Sequence, residues 1–123
     1  MADAERRRRG LEAFNRVYCG DLPAPPAGAV PFFDVMLEQL FAEVWERPGL
    51  SQRDRRLVTM GAIAALGERD TFGIQVRSAI KNGELTPEQC RELLIHLAPY
   101  AGYPRVAGLL GAVEKAIAEA GGG

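Results

Sequence analysis

The chain has 123 residues, of which 47% are hydrophobic and 25% charged, enough apolar material for one folded domain and too short to suggest a second with its own core. Fifteen Lys and Arg against sixteen Asp and Glu leave a formal net charge of -1, which excludes a protein-wide field for holding nucleic acid or an anionic membrane. No stretch approaches the roughly 20 apolar residues that cross a bilayer. The opening MADAERRRRG has no apolar segment after its basic run, so the expected compartment is the cytoplasm.

Ala4 to Tyr18 carries Leu11, Phe14, Val17 and Tyr18 at helical spacing, a narrow apolar stripe on a charged helix that must dock on something larger. Arg6 to Arg9 in this segment reads as a solvated face, or as an arm for an acidic partner surface. The Pro-rich bend from Leu22 to Pro31 follows. Phe33, Met36, Leu37, Leu40, Phe41 and Val44 then repeat at three and four residues, which predicts a core helix ended by Arg47-Pro48-Gly49.

Ser51-Gln-Arg-Asp54 has the form of a capping box, and Leu57 to Leu66 is apolar or small apart from Thr59, so that helix is expected to be buried on most sides. Asp70 or Thr71 can cap the next helix, over 71–82, with Phe72, Val76, Ala79 and Ile80 inward and Asn82-Gly83 ending it. Thr86-Pro-Glu-Gln89 is the clearest start signal, and Cys90, Leu93, Leu94, Leu97, Ala98 and Ala101 mark the buried face behind it. Gly102-Tyr-Pro104 breaks that helix. Val106, Leu109, Leu110, Val113 and Ile117 trace a last one that runs to the glycine tail.

No segment alternates with period two over a strand's length, so the fold is read as all-α, a bundle of about six helices. The divisions read from the sequence are 1–31 as N-terminal helix and bend, 32–120 as the helical domain and 121–123 as a tail. Cys19 and Cys90 stand too far apart for a CxxC pair or a zinc cluster and read as reduced core residues.

On the 71–82 helix Gln75 falls about 60° from Phe72 and about 40° from Ala79, a polar group at a core edge, while Arg77 lies about 140° from Phe72 and faces solvent unless another subunit covers it. His96 and Tyr100 are one helical turn apart on a flank of the next apolar stripe, with Pro99 between them. His96 and Gln75 each carry two readings, a satisfied structural group or a working one. Trp45 reads as core, interface or pocket wall.

Four runs then carry a resemblance: AEVWERPGL over 42–50, SQRDRRLV over 51–58, VRSAIKNG over 76–83 and HLAPYAGYP over 96–104. Their order and spacing resemble the carboxymuconolactone decarboxylase family, from about Gly10 to Ala120. The resemblance implies the helical fold shared with alkylhydroperoxidase D-type proteins and a homo-oligomer, trimer or hexamer, with sites near subunit interfaces. Peroxidase-type relatives carry a CxxC where this chain reads Glu68 to Gln75 without cysteine, so thiol peroxidase chemistry is not expected. Decarboxylases of the family resemble E-L-x-x-H there, and this chain has Thr71 and Gln75 in the Glu and His places.

The resemblance implies a cofactor-free lyase of aromatic catabolism acting on a small lactone or carboxylate. It must bind the carboxylate, stabilise an enolate and return a proton to carbon. The implied catalytic residues are His96 as proton donor, with Gln75 and Tyr100 on the oxyanion. Trp45, Arg47, Arg77 and Tyr103 are the implied substrate-binding residues. No metal, nucleic acid or membrane partner is implied. The alternatives are an isomerase or cyclase of a biosynthetic pathway, and a non-catalytic oligomeric binding or scaffold protein.

Overall fold

The computed structural model describes residues 2–121; the last two glycines of the expected tail lie outside the described residues. Among those residues there is no strand, and every regular element is helical, as the periodicity requires. The contacts divide the chain into two compact units, residues 1–52 and 53–123, each with its own hydrophobic cluster in place of the one core that length suggested.

In the first unit, α1 (Ala2–Val17) packs along a segment that starts as α2 (Pro31–Val35) and continues into a π-helical stretch over Met36–Val44. The apolar stripe of α1 finds its docking surface here: Ala13, Phe14 and Val17 are buried with Leu37, Phe41 and Trp45. Phe14 sits edge-on to Phe41 and to Phe33, with ring centroids 5.1 and 5.4 Å apart. Gly10 lets the two helices meet, since a Cβ there would overlap the backbone carbonyl of Leu37. The basic run is not simply solvated. Arg7 donates from Nε to Asp34 at 2.7 Å and from Nη2 to the Pro25 carbonyl at 2.7 Å, pinning the Pro-rich bend, and Arg6 pairs with Glu43 at 3.3 Å.

Two expectations fail in this unit. The predicted α-helical core stripe is wound differently: the amide of Trp45 donates to the carbonyl of Leu40 at 2.9 Å, an i to i+5 bond. The wider turn keeps Leu37, Phe41, Ala42 and Trp45 inside and leaves Leu40 and Val44 exposed. Cys19, expected in the core, is only half-buried and has φ 60°, in the left-handed turn that ends α1.

The second unit holds α3 (Gln52–Leu66) from Arg53 onward, α4 (Arg69–Lys81), α5 (Pro87–Ala101), α6 (Tyr103–Ala107) and α7 (Leu110–Gly121). Its core joins Met60 and Ala64 to Phe72, Val76, Ala79, Cys90, Leu94 and Val113, and α4 packs along α7. The start of α5 is as predicted: Oγ1 of Thr86 accepts from the Gln89 amide, and Oε1 of Gln89 accepts from the Thr86 amide. Gly83 and Gly102, with φ 72° and 107°, supply the expected breaks.

This unit departs from the sequence expectations at three places. The cap of α4 is Glu68, in extended conformation and without a side-chain hydrogen bond, so neither Asp70 nor Thr71 caps it. The expected last helix is divided into α6 and α7 at Gly108. And α3 buries one face only, through Arg56, Met60 and Ala64, while Val58 and Leu66 are 66% and 68% exposed. The long apolar run overstated burial because a helix needs only a stripe of its circumference in the core.

Candidate functional site

Within the second unit a cavity of about 350 Å³ is lined by Arg53 and Leu57 of α3, by Leu85 of the α4–α5 turn, and by Gln89, Glu92, Leu93 and His96 of α5. The spacing explains the lining. Residues 53 and 57 are one turn apart on α3, and 89, 92, 93 and 96 follow one face of α5 at three and four residues. The capping box sets the register of α5 and hence the position of His96. The turn between α4 and α5 is held by the amides of Glu84 and Leu85, both donating to the Ala79 carbonyl, at 2.8 and 3.3 Å.

The cavity walls combine apolar Leu side chains with one cation, one carboxylate, one amide and one imidazole. Nε of Arg53 donates to the backbone carbonyl of Glu84 at 2.9 Å, which holds the guanidinium at the wall. Oε1 of Gln89 is taken by the Thr86 amide, so its NH₂ is the end left to donate. The His96 ring lies 5.4 Å from that of Tyr100, tilted by 40°, as the one-turn spacing predicted. Both are exposed, Tyr100 by 81%.

Next to this cavity along the chain lies a buried polar cluster. Arg56 is fully buried, and its Nε and Nη2 donate to the two carboxylate oxygens of Glu84 at 2.8 and 3.3 Å. Its Nη1 donates to Oε1 of Gln75 at 2.8 Å. Gln75 is therefore interior, 2% exposed and engaged with a cation, and does not sit at the core edge where the helix wheel put it.

The remaining residues named from the sequence have other settings. Arg77 pairs with Glu119 at 3.5 Å and lines a separate cavity of about 200 Å³ between α4 and α7, with Asp70 and Lys115. Tyr103, at the start of α6, is 68% exposed. Trp45 belongs to the core of the first unit, its ring stacked on Phe41 with centroids 6.1 Å apart. Arg47 is exposed in the turn after the π-helical stretch. The structure thus brings His96 and Tyr100 together on α5, while Gln75 is engaged by Arg56 and Arg77 by Glu119.

Sequence reasoning did not single out Arg53 and Gln89 of the cavity wall or the buried Arg56. Arg53 and Gln89 were absorbed into capping boxes, a role that Gln89 does fill alongside its place in the wall. For Arg56 a signal existed: it stands four residues before Met60 and eight before Ala64, on the buried stripe. Among the described residues no cluster of His, Cys, Asp or Glu could hold a metal ion, and no helix is long and apolar enough to cross a membrane.

The sequence model of the Carboxymuconolactone decarboxylase family matches residues 31–115. A 4-carboxymuconolactone decarboxylase of Acinetobacter baylyi is 41% identical over 64 residues, which cover 52% of this chain and 47% of that protein. The nitrosuccinic acid decarboxylase npaB of Metarhizium robertsii is 36% identical over 74 residues, 60% of this chain and 51% of its own. The matched segments therefore span about half the length of these curated relatives.

Proposed function

The chain belongs to the carboxymuconolactone decarboxylase family, and from that premise we propose that it is a cofactor-free decarboxylase of a small carboxylic acid whose scissile bond lies next to a carbonyl or nitro group. Two relatives named as decarboxylases of different acids support the reaction type more than any one substrate. The observation that carries the reading is that Arg53 and His96 line one cavity of about 350 Å³, within the usual size of a small-molecule site.

In this reading Arg53 pairs with a substrate carboxylate that stays on the molecule. The carbon–carbon bond to the leaving carboxylate breaks, carbon dioxide departs, and the electron pair moves into the neighbouring carbonyl or nitro oxygen. The NH₂ of Gln89 and the hydroxyl of Tyr100 donate to that oxyanion, and His96 returns a proton to carbon. Arg53 takes the place first given to Arg47 or Arg77, because it shares the cavity with the imidazole. Gln75 acts from behind the site through Arg56.

The exposure of the His96–Tyr100 pair supports a further element. A developing carbanion needs water excluded, and Tyr100, one turn from His96, is 81% exposed. A homo-oligomer, trimer or hexamer, would cover this face and complete the site. Light scattering gives the test, and a monomer at micromolar concentration removes this element.

The reaction is tested by incubating the purified chain separately with 4-carboxymuconolactone and with nitrosuccinate and measuring carbon dioxide release. Turnover of either, with KM raised at least about tenfold in Arg53→Ala, supports the reading. Release from neither acid, with binding intact, leaves the non-catalytic scaffold, which the engagement of Gln75 by Arg56 favours. Conversion without carbon dioxide release indicates an isomerase or cyclase.

A further inference from the structure

Two arginines on successive turns of α3 end on one residue. The carboxylate of Glu84 accepts from Nε and Nη2 of Arg56 at 2.8 and 3.3 Å, and the backbone carbonyl of the same residue accepts from Nε of Arg53 at 2.9 Å. Among the described residues Arg53 also meets Asp54 at 3.9 Å, in a solvent-exposed pair that confines a long side chain weakly. We infer that Arg56 and Glu84 are positioning residues that hold Arg53 at the cavity wall, an inference that rests on the decarboxylase reading for its catalytic consequence but not for its geometry.

The chemistry of the cluster fits that role. A fully buried guanidinium is costly to desolvate, and apolar side chains of similar volume often stabilise such a site as well or better, so packing alone does not call for Arg56. Its donors are divided with direction: one edge grips both oxygens of Glu84 and the remaining Nη1 takes Gln75. Gln75 is neutral, so it satisfies that donor without competing for the charge of Arg56. The Glu84 carboxylate is thereby kept on Arg56, the turn that carries it is tied to α3, and its carbonyl stays in reach of Arg53. A glutamate at position 75 would divide Arg56 between two carboxylates and loosen this arrangement.

The experiment uses the full chain and the double variant R56M/E84M, an apolar pair that leaves no unpaired buried charge. The first readout needs no substrate: the Nε–H signals of ¹⁵N-labelled arginine, with R53A assigning Arg53. In the double variant the Arg53 Nε–H is expected to exchange with solvent at least about tenfold faster than in the parent. With whichever of nitrosuccinate and 4-carboxymuconolactone the parent decarboxylates, KM is expected to rise at least about tenfold while kcat changes less than about threefold.

Parent-like exchange at Arg53 in a folded double variant overturns the inference, and so does a parent-like KM in an active protein. Should the double variant not fold, E84Q provides the same readout: it keeps an oxygen for one Arg56 donor and removes the charge. Faster Arg53 exchange in E84Q supports the inference, and unchanged exchange overturns it. A parent that turns over neither acid but shows the Arg53 effect retires the decarboxylase reading and leaves the positioning intact.

Discussion

Nη1 of Arg56 donates to Oε1 of Gln75 at 2.8 Å, and because a guanidinium has no acceptor, the Gln75 amide can stand in only one of its two orientations. Any residue at position 75 must show Arg56 an acceptor. A histidine placed there meets that demand only with an unprotonated ring nitrogen, so Gln75→His is expected to hold a neutral imidazole. Burial and the neighbouring cation both disfavour its charged form, and its pKa is expected below the ordinary value of about 6.5. An NMR titration of the new imidazole checks this, and a midpoint at or above that value would contradict it. Gln75→Leu, which strands the donor, is expected to cost about 1–3 kcal/mol in a denaturant titration.

Gly10 and Gly61 are both helical glycines and should respond to alanine with opposite signs. At Gly10 a Cβ would overlap the Leu37 carbonyl, a backbone atom that cannot swing aside, so Gly10→Ala is expected to destabilise by about 3 kcal/mol or more. At Gly61 the nearest atom to a Cβ is Cδ2 of Leu97, at 4.0 Å, and Gly61→Ala is expected to stabilise by about 0.5–1 kcal/mol through helix propensity. Thermal unfolding of the two variants side by side checks the pair.

Local rules carried the helices and their breaks, since a capping box such as Thr86–Gln89 and a left-handed glycine such as Gly83 act within a few residues. The π winding over 36–44 was not visible, because apolar spacing of three and four suits an α-helix and the extra residue per turn is chosen by packing against α1. For the site, the pairing of His96 with Tyr100 followed from spacing on one helix. The pairing of Arg56 with Gln75 and Glu84 joins residues 19 and 28 positions apart, and only the fold brings those together.

Asp34 links the Pro-rich bend to α1, accepting from Nε of Arg7 at 2.7 Å and from the Gly28 amide at 3.0 Å. The hydrogen bond from Arg7, aided by that from Gly28, holds its carboxyl below the usual range. A lowered folded pKa means that the folded chain binds fewer protons than the unfolded one, so this contribution is present above the ordinary aspartate value of about 3.9 and is lost as the pH falls through the folded value. Asp34→Asn is therefore expected to lower the melting temperature at pH 7 more than at pH 3. Equal losses at the two pH values would contradict the assignment.

The thiols should separate by burial. Cys90 is fully buried, and desolvation pushes its pKa up to about 11, whereas Cys19 is half-buried at the end of α1. A thiol reagent at pH 8 is expected to modify Cys19 first and Cys90 only on unfolding, as read by mass spectrometry. The sign for stability is opposite to that of Asp34: the raised thiol pKa contributes below about pH 9 and is lost as the pH climbs toward 11. Replacing both cysteines by alanine should leave carbon dioxide release intact, since neither thiol is given a part in the chemistry.

The return of the proton to carbon by His96 is read in kcat for carbon dioxide release by His96→Gln beside the parent, at matched assembly state. His96 is exposed, so the replacement should leave folding intact. The kcat of the variant is expected to be lower by about 10²- to 10⁴-fold, the usual worth of general acid–base catalysis, with KM little changed. A variant whose kcat stays within about threefold of an active parent would contradict it.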